Sequence, residues 1–325
     1  MNNITIFDGS HLLYRIVFAN QDMLVEDNWD FFRYLYLNSI FYFQKDFRAD
    51  EVVIALDDIN NWRKKVFPEY KAQRKSSRKQ DDVDWKNIFG FFNKFILEMA
   101  KYFPFKVIKV KYAEADDIIG IICKNVSGNN QVVIISGDKD FRQLLNNDNI
   151  HMHDPIKKKR IKLEDYNNYL IKHILQGDNS DNIPDVKAEK EYKKVFLNFL
   201  DDPVENYSNK ELRKKEEEFL RKNDVSKMSD WKSGRIGPKT AEKIIEGNSK
   251  KHDLEKIKDS RQFKLNKRLI DLTQSPEYLQ KRILKKFNKD VNYNKKRILK
   301  YFKKFNMDSF IEQKDKLIRA MEILK

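Results

Sequence analysis

The sequence predicts an α/β fold: a mainly parallel central sheet flanked by helices, followed by a helical C-terminal region. Three observations lead there. Short, unbroken β-branched runs recur between helical stretches, the pattern of buried parallel strands. Several of these runs end in aspartate. Beyond about residue 165 no strand pattern remains and helical spacing takes over.

The first strand, Ile4-Thr5-Ile6-Phe7, ends at Asp8, and His11 to Phe18 starts a helix. Trp29 to Phe47 is an aromatic-rich helix, too apolar to lie exposed. Val52-Val53-Ile54-Ala55-Leu56 is the second strand and ends at Asp57-Asp58. A basic stretch, 62–79, then holds eight Lys/Arg and one acid. Trp85, Ile88, Phe89, Phe92, Phe95, Ile96 and Met99 recur at helical spacing. Phe105 to Val110 reads as a strand. Glu114-Ala115-Asp116-Asp117 heads a helix that runs to 126. Val132-Val133-Ile134-Ile135 ends in Ser136-Gly137-Asp138-Lys139-Asp140, with a helix expected from Phe141. Ile150 to His153 is a further candidate strand. Leu163 to Leu175 is helical and precedes Gly177-Asp178-Asn179-Ser180-Asp181-Asn182-Ile183-Pro184. Residues 187–233 are highly charged at helical spacing, and Gly237-Pro238 opens another helix.

Composition bounds the function. The 325 residues are 40% hydrophobic, so a core is available, yet the formal net charge is +15. A basic chain that gathers acids at strand ends suggests a polyanionic substrate held over metal. The single cysteine, Cys123, excludes an internal disulfide and is expected in the core. No apolar run reaches the ~18 residues of a membrane span, and no charged-then-apolar leader is evident. The expectation is a soluble cytoplasmic protein without membrane association. There is no Gly-x-x-x-x-Gly-Lys loop for nucleotide hydrolysis. His151-x-His153 has no third ligand at a spacing that suits zinc.

A lone aspartate after a strand is an ordinary helix cap. Several together mean more. Parallel strands share a carboxyl edge, where open α/β sheets bind their ligands. Acids distant in sequence converge there, repel one another, and call for divalent cations. Oxygen-only ligands suit Mg2+ or Mn2+.

Four ordered segments, Tyr112 to Asp117, Ile135 to Phe141, Gly177 to Pro184 and Ile236-Gly237-Pro238-Lys239-Thr240-Ala241, resemble the 5′-nuclease superfamily in order and spacing. That superfamily includes flap endonucleases, 5′-nuclease domains of bacterial DNA polymerases and phage 5′-exonucleases. Asp8-Gly9-Ser10 and Pro68-Glu69-Tyr70-Lys71-Ala72-Gln73-Arg74 match two more of its motifs. The chain length, the aromatic N-terminal helix and Asn61-Trp62-Arg63-Lys64 look most like phage ribonucleases H of the T-even type.

The resemblance implies a PIN-like nuclease core over 1–186 with a helical arch at about 62–82. It also implies a duplex-binding helical region at 234–325 containing a helix–two-turn–helix, and the charged helical stretch 187–233 reads as an insertion before it. Two metal ions are implied. Asp8, Asp57, Glu114, Asp116, Asp138 and Asp140 match the first group of ligands. Asp117 matches an acid of variable role, and Asp178 and Asp181 match the second group. Lys71 and Arg74, three apart and on one face if helical, match the pair that reaches the scissile phosphate. Arg63, Tyr70, Gly237, Lys239 and Thr240 are the expected DNA contacts, and the last three bring in K+ at the helix–two-turn–helix. The implied activity is 5′–3′ exonuclease, flap endonuclease and ribonuclease H, removing RNA primers and flaps in phage DNA replication. The implied substrates are 5′ flaps, nicked duplex and RNA–DNA junctions. A single-strand-binding protein and a sliding clamp are partners of the same setting, in a bacterial host cytoplasm. Two other readings stay open: a catalytically silent DNA-binding accessory protein, and a PIN-like ribonuclease. One departure stands out. Asp185-Val186 replaces the usual Gly-Val, and about fifty residues separate it from Ile236.

Overall fold

The structure, a computed structural model, describes residues 2–20, 28–72, 83–126, 128, 130–163, 165–186, 196, 198–203, 206–222, 236–249, 252–291 and 293–324. The chain divides into two compact units. One comprises Met1–Val66, Arg74–Tyr166 and Ser275–Lys325, the other Phe67–Gln73 and Asn167–Gln274.

The first unit holds a six-stranded sheet. Its strands are β1 (Asn3–Asp8), β2 (Glu51–Leu56), β3 (Lys106–Lys109), β4 (Gln131–Ile135), β5 (Ile150–Asp154) and β6 (Lys159–Ile161). Their spatial order is β3-β2-β1-β4-β5-β6. The first five run parallel and β6 pairs antiparallel with β5. The expected α/β architecture is therefore present. The edge strand β6 was not expected, because Lys159-Arg160-Ile161 has no apolar run.

The pleat sends alternate strand residues to opposite faces. Phe7, Val52, Ile54, Leu56, Val133 and Ile135 join one core. Helices α1 (Gly9–Ala19), α2 (Trp29–Asp46) and α4 (Trp85–Tyr102) contribute to it; α3 is the single turn Arg63–Val66. The other face receives α5 (Ala115–Asn125), which packs on β1 and β2. The starts of these helices follow from polar caps. Asp8, Asn28 and Asp84 each accept a backbone N–H two or three residues into α1, α2 and α4. Gly9 has a further cause: a Cβ there would stand 2.7 Å from Leu56 Cδ2 and 2.9 Å from the Ala55 carbonyl. The strand-to-helix turn that presents Asp8 thus depends on the missing side chain. Where a helix was expected from Phe141, a 3₁₀ helix runs from Lys139 to Leu144, started by the Asp138 carboxylate accepting the Asp140 N–H.

The last residues of the chain revise the expected domain boundaries. Helices α11 (Glu277–Phe287), α12 (Lys295–Lys304), α13 (Asp308–Glu312) and α14 (Lys314–Ile323) belong to the first unit. Ile298, Tyr301, Phe302, Phe310, Ile318 and Met321 lie in the same core as α2 and α4. Burial of those side chains explains why 275–325 does not group with the duplex-binding region proposed for 234–325.

A polar knot sits within this aromatic core. Arg33 pairs with Glu98 at 2.9 Å, lies over the Phe91 and Phe305 rings, and the Tyr301 hydroxyl donates to Glu98 at 2.7 Å. Burial disfavours the Glu98 carboxylate, yet hydrogen bonds from Arg33 and Tyr301 outweigh it and hold its pKa below the ordinary value. A lowered folded pKa means stabilisation that is complete above the unfolded value and is lost as pH falls through the folded one. Glu98→Gln is therefore expected to flatten the acid limb of melting temperature against pH. An unchanged acid limb would show that Glu98 does not carry this dependence.

In the second unit, α6 (Tyr166–Gln176) leads into a tight loop, a 3₁₀ turn at Asn179–Asp181 and helices α7 (Asn209–Lys222), α8 (Pro238–Ile245), α9 (Leu254–Lys258) and α10 (Arg261–Ile270). Gly177 has φ +65°, and a Cβ there would fall 2.3 Å from the Pro184 carbonyl oxygen, so only glycine closes this loop. Asn266 of α10 ties the loop down, donating to Ile174 O at 3.0 Å and Pro184 O at 2.7 Å. Residues 167–186 thus belong here rather than to the first unit, contrary to the 1–186 boundary. Within the charged insertion, α7 buries Phe219 against Phe196 and Phe199. Residues 187–195 and 223–233 of that insertion lie outside the described residues.

Candidate metal centre

In the first unit β2, β1 and β4 are neighbours, and each ends in an acid or leads to one. Asp8 is the last residue of β1, opposite Ala55 of β2, and Asp57 follows Leu56 at the end of β2. Phe7 pairs with Ile135, after which Asp138 and Asp140 follow on the β4 side. With strands about 4.8 Å apart, Asp57 and the Asp138–Asp140 pair flank Asp8. The start of α5 brings Glu114 and Asp116 to the same edge, because Asp57 Oδ1 accepts the Ala115 N–H at 2.8 Å.

Backbone donors fix these carboxylates. Asp8 Oδ1 accepts the His11 N–H at 2.9 Å and Asp138 Oδ1 the Asp140 N–H at 3.0 Å. Asp8 and Glu114 are each 7% exposed, whereas Asp57 is exposed and Asp116, Asp138 and Asp140 are half-buried. Only one oxygen of Asp57 and of Asp138 is held by a hydrogen bond among the described residues. Carboxylates held by one oxygen, with the donor set all oxygen, fit a hard divalent cation. His11 stands nearby. Burial lowers its pKa, against the pull of the Asp138 carboxylate, so the ring favours its neutral form.

Asp117 does not fit a metal. It is fully buried, and both oxygens are engaged. Oδ1 accepts the Ser275 hydroxyl at 2.6 Å and lies 2.9 Å from Arg63 Nη2 as an ion pair. Oδ2 accepts the Glu114 N–H at 2.9 Å, Arg63 Nη1 at 3.0 Å and Trp62 Nε1 at 3.1 Å. Its assignment as a metal ligand is corrected to that of a buried anchor for the start of α5. The same contacts correct Arg63. Its side chain is 1% exposed and paired with Asp117 and, at 3.1 Å, with Glu114, so it is not a DNA contact. A basic segment gave no sign that one of its arginines faces inward.

The second unit holds the remaining acids. Asp178 Oδ1 accepts the Ser180 N–H at 2.8 Å and its hydroxyl at 2.5 Å, and Oδ2 meets His173 Nε2 at 3.0 Å. His173 escaped the sequence reading; its spacing five residues before Asp178 is the only signal. Asp181 Oδ2 accepts the Tyr70 hydroxyl at 2.8 Å and lies 3.6 Å from Lys71 Nζ. Tyr70, given above as a DNA contact, is 2% exposed, and its hydroxyl is taken up by this internal hydrogen bond. Lys71 sits in a turn with φ 56°, its N–H bonded to the Asp181 carbonyl at 2.9 Å. The helical face expected for Lys71 and Arg74 is therefore not formed at Lys71. Arg74 lies outside the described residues, as does the second half of the proposed arch, 73–82. Gly237 precedes α8 with Pro238 in its first turn and no side-chain cap; Lys239 is exposed and Thr240 half-buried.

A mainly parallel sheet with carboxylates gathered at one edge defines an α/β protein with an oxygen-lined acid edge. Comparison with known sequences narrows the class. The sequence model described as "5'-3' exonuclease, N-terminal resolvase-like domain" matches residues 3–172. The chain belongs to this 5′–3′ exonuclease family. It is 29% identical over 197 residues to the ribonuclease H of Enterobacteria phage T4, covering 58% of this chain and 65% of that protein. It is 32% identical over 195 residues to a 5′–3′ exonuclease of Buchnera aphidicola subsp. Schizaphis graminum, covering 56% and 65%. The 5′–3′ exonuclease of Mycoplasmopsis pulmonis is 29% identical over 205 residues, 60% of this chain and 66% of that one. The chain thus matches just under two thirds of the length of these relatives. A solved flap endonuclease of bacteriophage T5, in a complex with DNA and metal ions, shares the fold at TM-score 0.52 and 18% identity over 99% of both chains. A T5 protein co-crystallised with metal ions does so at TM-score 0.53 and 16% identity, over 94% and 98%.

Proposed function

We propose that the protein is a structure-specific, metal-dependent 5′-nuclease that hydrolyses phosphodiesters at single-strand/duplex junctions. Its role would be removal of RNA primers and 5′ flaps during phage DNA replication in the host cytoplasm, with ribonuclease H activity. The observation that carries this reading is the acid edge: Asp8, Asp57, Glu114, Asp116, Asp138 and Asp140 on three adjacent parallel strands and the start of α5, in a chain of this family. These residues would hold Mg2+ or Mn2+, with Asp178 and Asp181 serving a second ion. Bound ions supply an activated water and stabilise the leaving oxygen. The chain's own groups orient the carboxylates through backbone N–H donors and bring cations to the phosphate. We assign Lys71 and Arg74 to the phosphate being cleaved. Gly237, Lys239 and Thr240 we assign to duplex backbone, where the amides opening α8 suit a phosphate and K+. A single-strand-binding protein and a sliding clamp remain candidate partners.

The test compares matched flap, nicked and RNA–DNA substrates with Mg2+ present and absent. Lys71→Ala is expected to depress single-turnover rate far more than affinity, since its contact tightens at the reacting phosphate. Lys239→Ala is expected to do the reverse. If both lose affinity alone and keep their rates, the assignment of Lys71 is wrong. No Mg2+-dependent cut on any substrate would remove the nuclease reading.

A further inference from the structure

Beyond the end of β3, a different arrangement stands beside the acids. Tyr112 has φ 75°, a conformation that an aromatic residue keeps only under constraint. Three hydrogen bonds impose it. The Tyr112 N–H donates to Asp58 Oδ2 at 3.0 Å, the Tyr112 carbonyl accepts the Trp62 N–H at 3.0 Å, and the Asp58 N–H donates to the Ala113 carbonyl at 2.9 Å. Asp58 is therefore a positioning residue, acting through the backbone that leads into Glu114.

The Tyr112 ring is half-exposed and has two ammonium groups near it. Lys65 Nζ lies 4.2 Å from the ring centroid and Lys111 Nζ 5.2 Å. Both lysines are exposed, and neither is ion-paired to a carboxylate among the described residues. Arg63, close by in sequence, is already committed to Glu114 and Asp117. Each ammonium is attracted to the ring face, but two like charges gathered on one ring repel. An anion beside them relieves that repulsion and accepts charge-assisted hydrogen bonds.

We propose that Tyr112, Lys65 and Lys111 form a phosphate subsite for one non-reacting phosphodiester of the substrate strand. The subsite rests on the nuclease reading for the identity of its ligand. It adds to that reading a fixed point on the nucleic-acid backbone at the edge where Asp57 and Glu114 lie. The tyrosine ring is a pedestal for the two cations, and its hydroxyl takes no part.

The experiment uses flap DNAs that each carry a single uncharged methylphosphonate linkage at successive positions. Affinity is measured in Ca2+, and cleavage in Mg2+. The wild type is expected to lose about tenfold in affinity at one linkage other than the one cleaved. Lys65→Ala/Lys111→Ala is expected to bind unmodified DNA about tenfold more weakly and to lose nothing further at that linkage. Tyr112→Phe, which keeps the ring, should match the wild type. Tyr112→Gly should behave like the double-lysine variant with its melting temperature retained or raised, since glycine suits this φ. Additive losses at every linkage in the double-lysine variant, Tyr112→Phe failing like Tyr112→Gly, or no binding by the wild type would each overturn the subsite. A wild type that binds with the linkage effect yet cuts nothing would keep the subsite and refute the nuclease reading.

Discussion

Asp140→Asn is expected to lower single-turnover cleavage by about three orders of magnitude while leaving DNA affinity unchanged or raised. Asp140 lies in the first turn of the 3₁₀ helix that follows β4, and its N–H is already held by Asp138. Asparagine keeps the size and the backbone contact but removes one negative charge. A ligand group for a divalent cation is weakened, and one source of repulsion toward phosphate disappears. Rate is measured at saturating Mg2+ and affinity in Ca2+. Near-normal cleavage would mean that Asp140 is not part of the metal centre.

The largest effect on stability is expected at Arg63. Arg63→Met should cost about 3–5 kcal/mol, because it leaves buried carboxylates without their cation. Asp117 is fully buried and Glu114 nearly so, and both accept from the Arg63 guanidinium. Denaturant unfolding reads the loss directly. Arg63→Met/Asp117→Leu should recover part of it, since the uncompensated charge goes as well. A midpoint equal to the wild type for Arg63→Met would show that the network contributes nothing. DNA affinity of the folded Arg63→Met protein should change little, as a side chain 1% exposed cannot reach a phosphate.

The parts of the site written in local pattern were legible. An apolar strand that runs into Asp8, Asp57 or Asp138 declares both its burial and its polar end. The Glu114-Ala115-Asp116-Asp117 start of α5 was readable too, because acids at a helix start are favoured by the dipole as well as by function. What sequence left hidden was direction. Asp116 and Asp117 are adjacent and identical, yet on a helix they point about 100° apart. One stays half-exposed and the other is buried under Arg63 and Ser275. The basic stretch misled in the same way: Lys65 is exposed, while Arg63, two residues earlier, is enclosed. The helical pattern of 295–323 was visible, but its destination in the core beside α2 was not, since amphipathicity names a buried face and not its partner.

That destination bears on how the chain is made. Gln44 Nε2 of α2 donates to the Ala320 carbonyl of α14 at 2.8 Å, across 276 residues. A ribosome adding 5–20 residues per second needs roughly 14 to 55 s to cover that interval. Phe41, and later Phe103, wait during it for the Phe302 ring that meets them both, and Phe41 waits for Phe310 as well. The whole of residues 167–274 leaves the ribosome within the same interval, before the sheet-bearing unit can close its core.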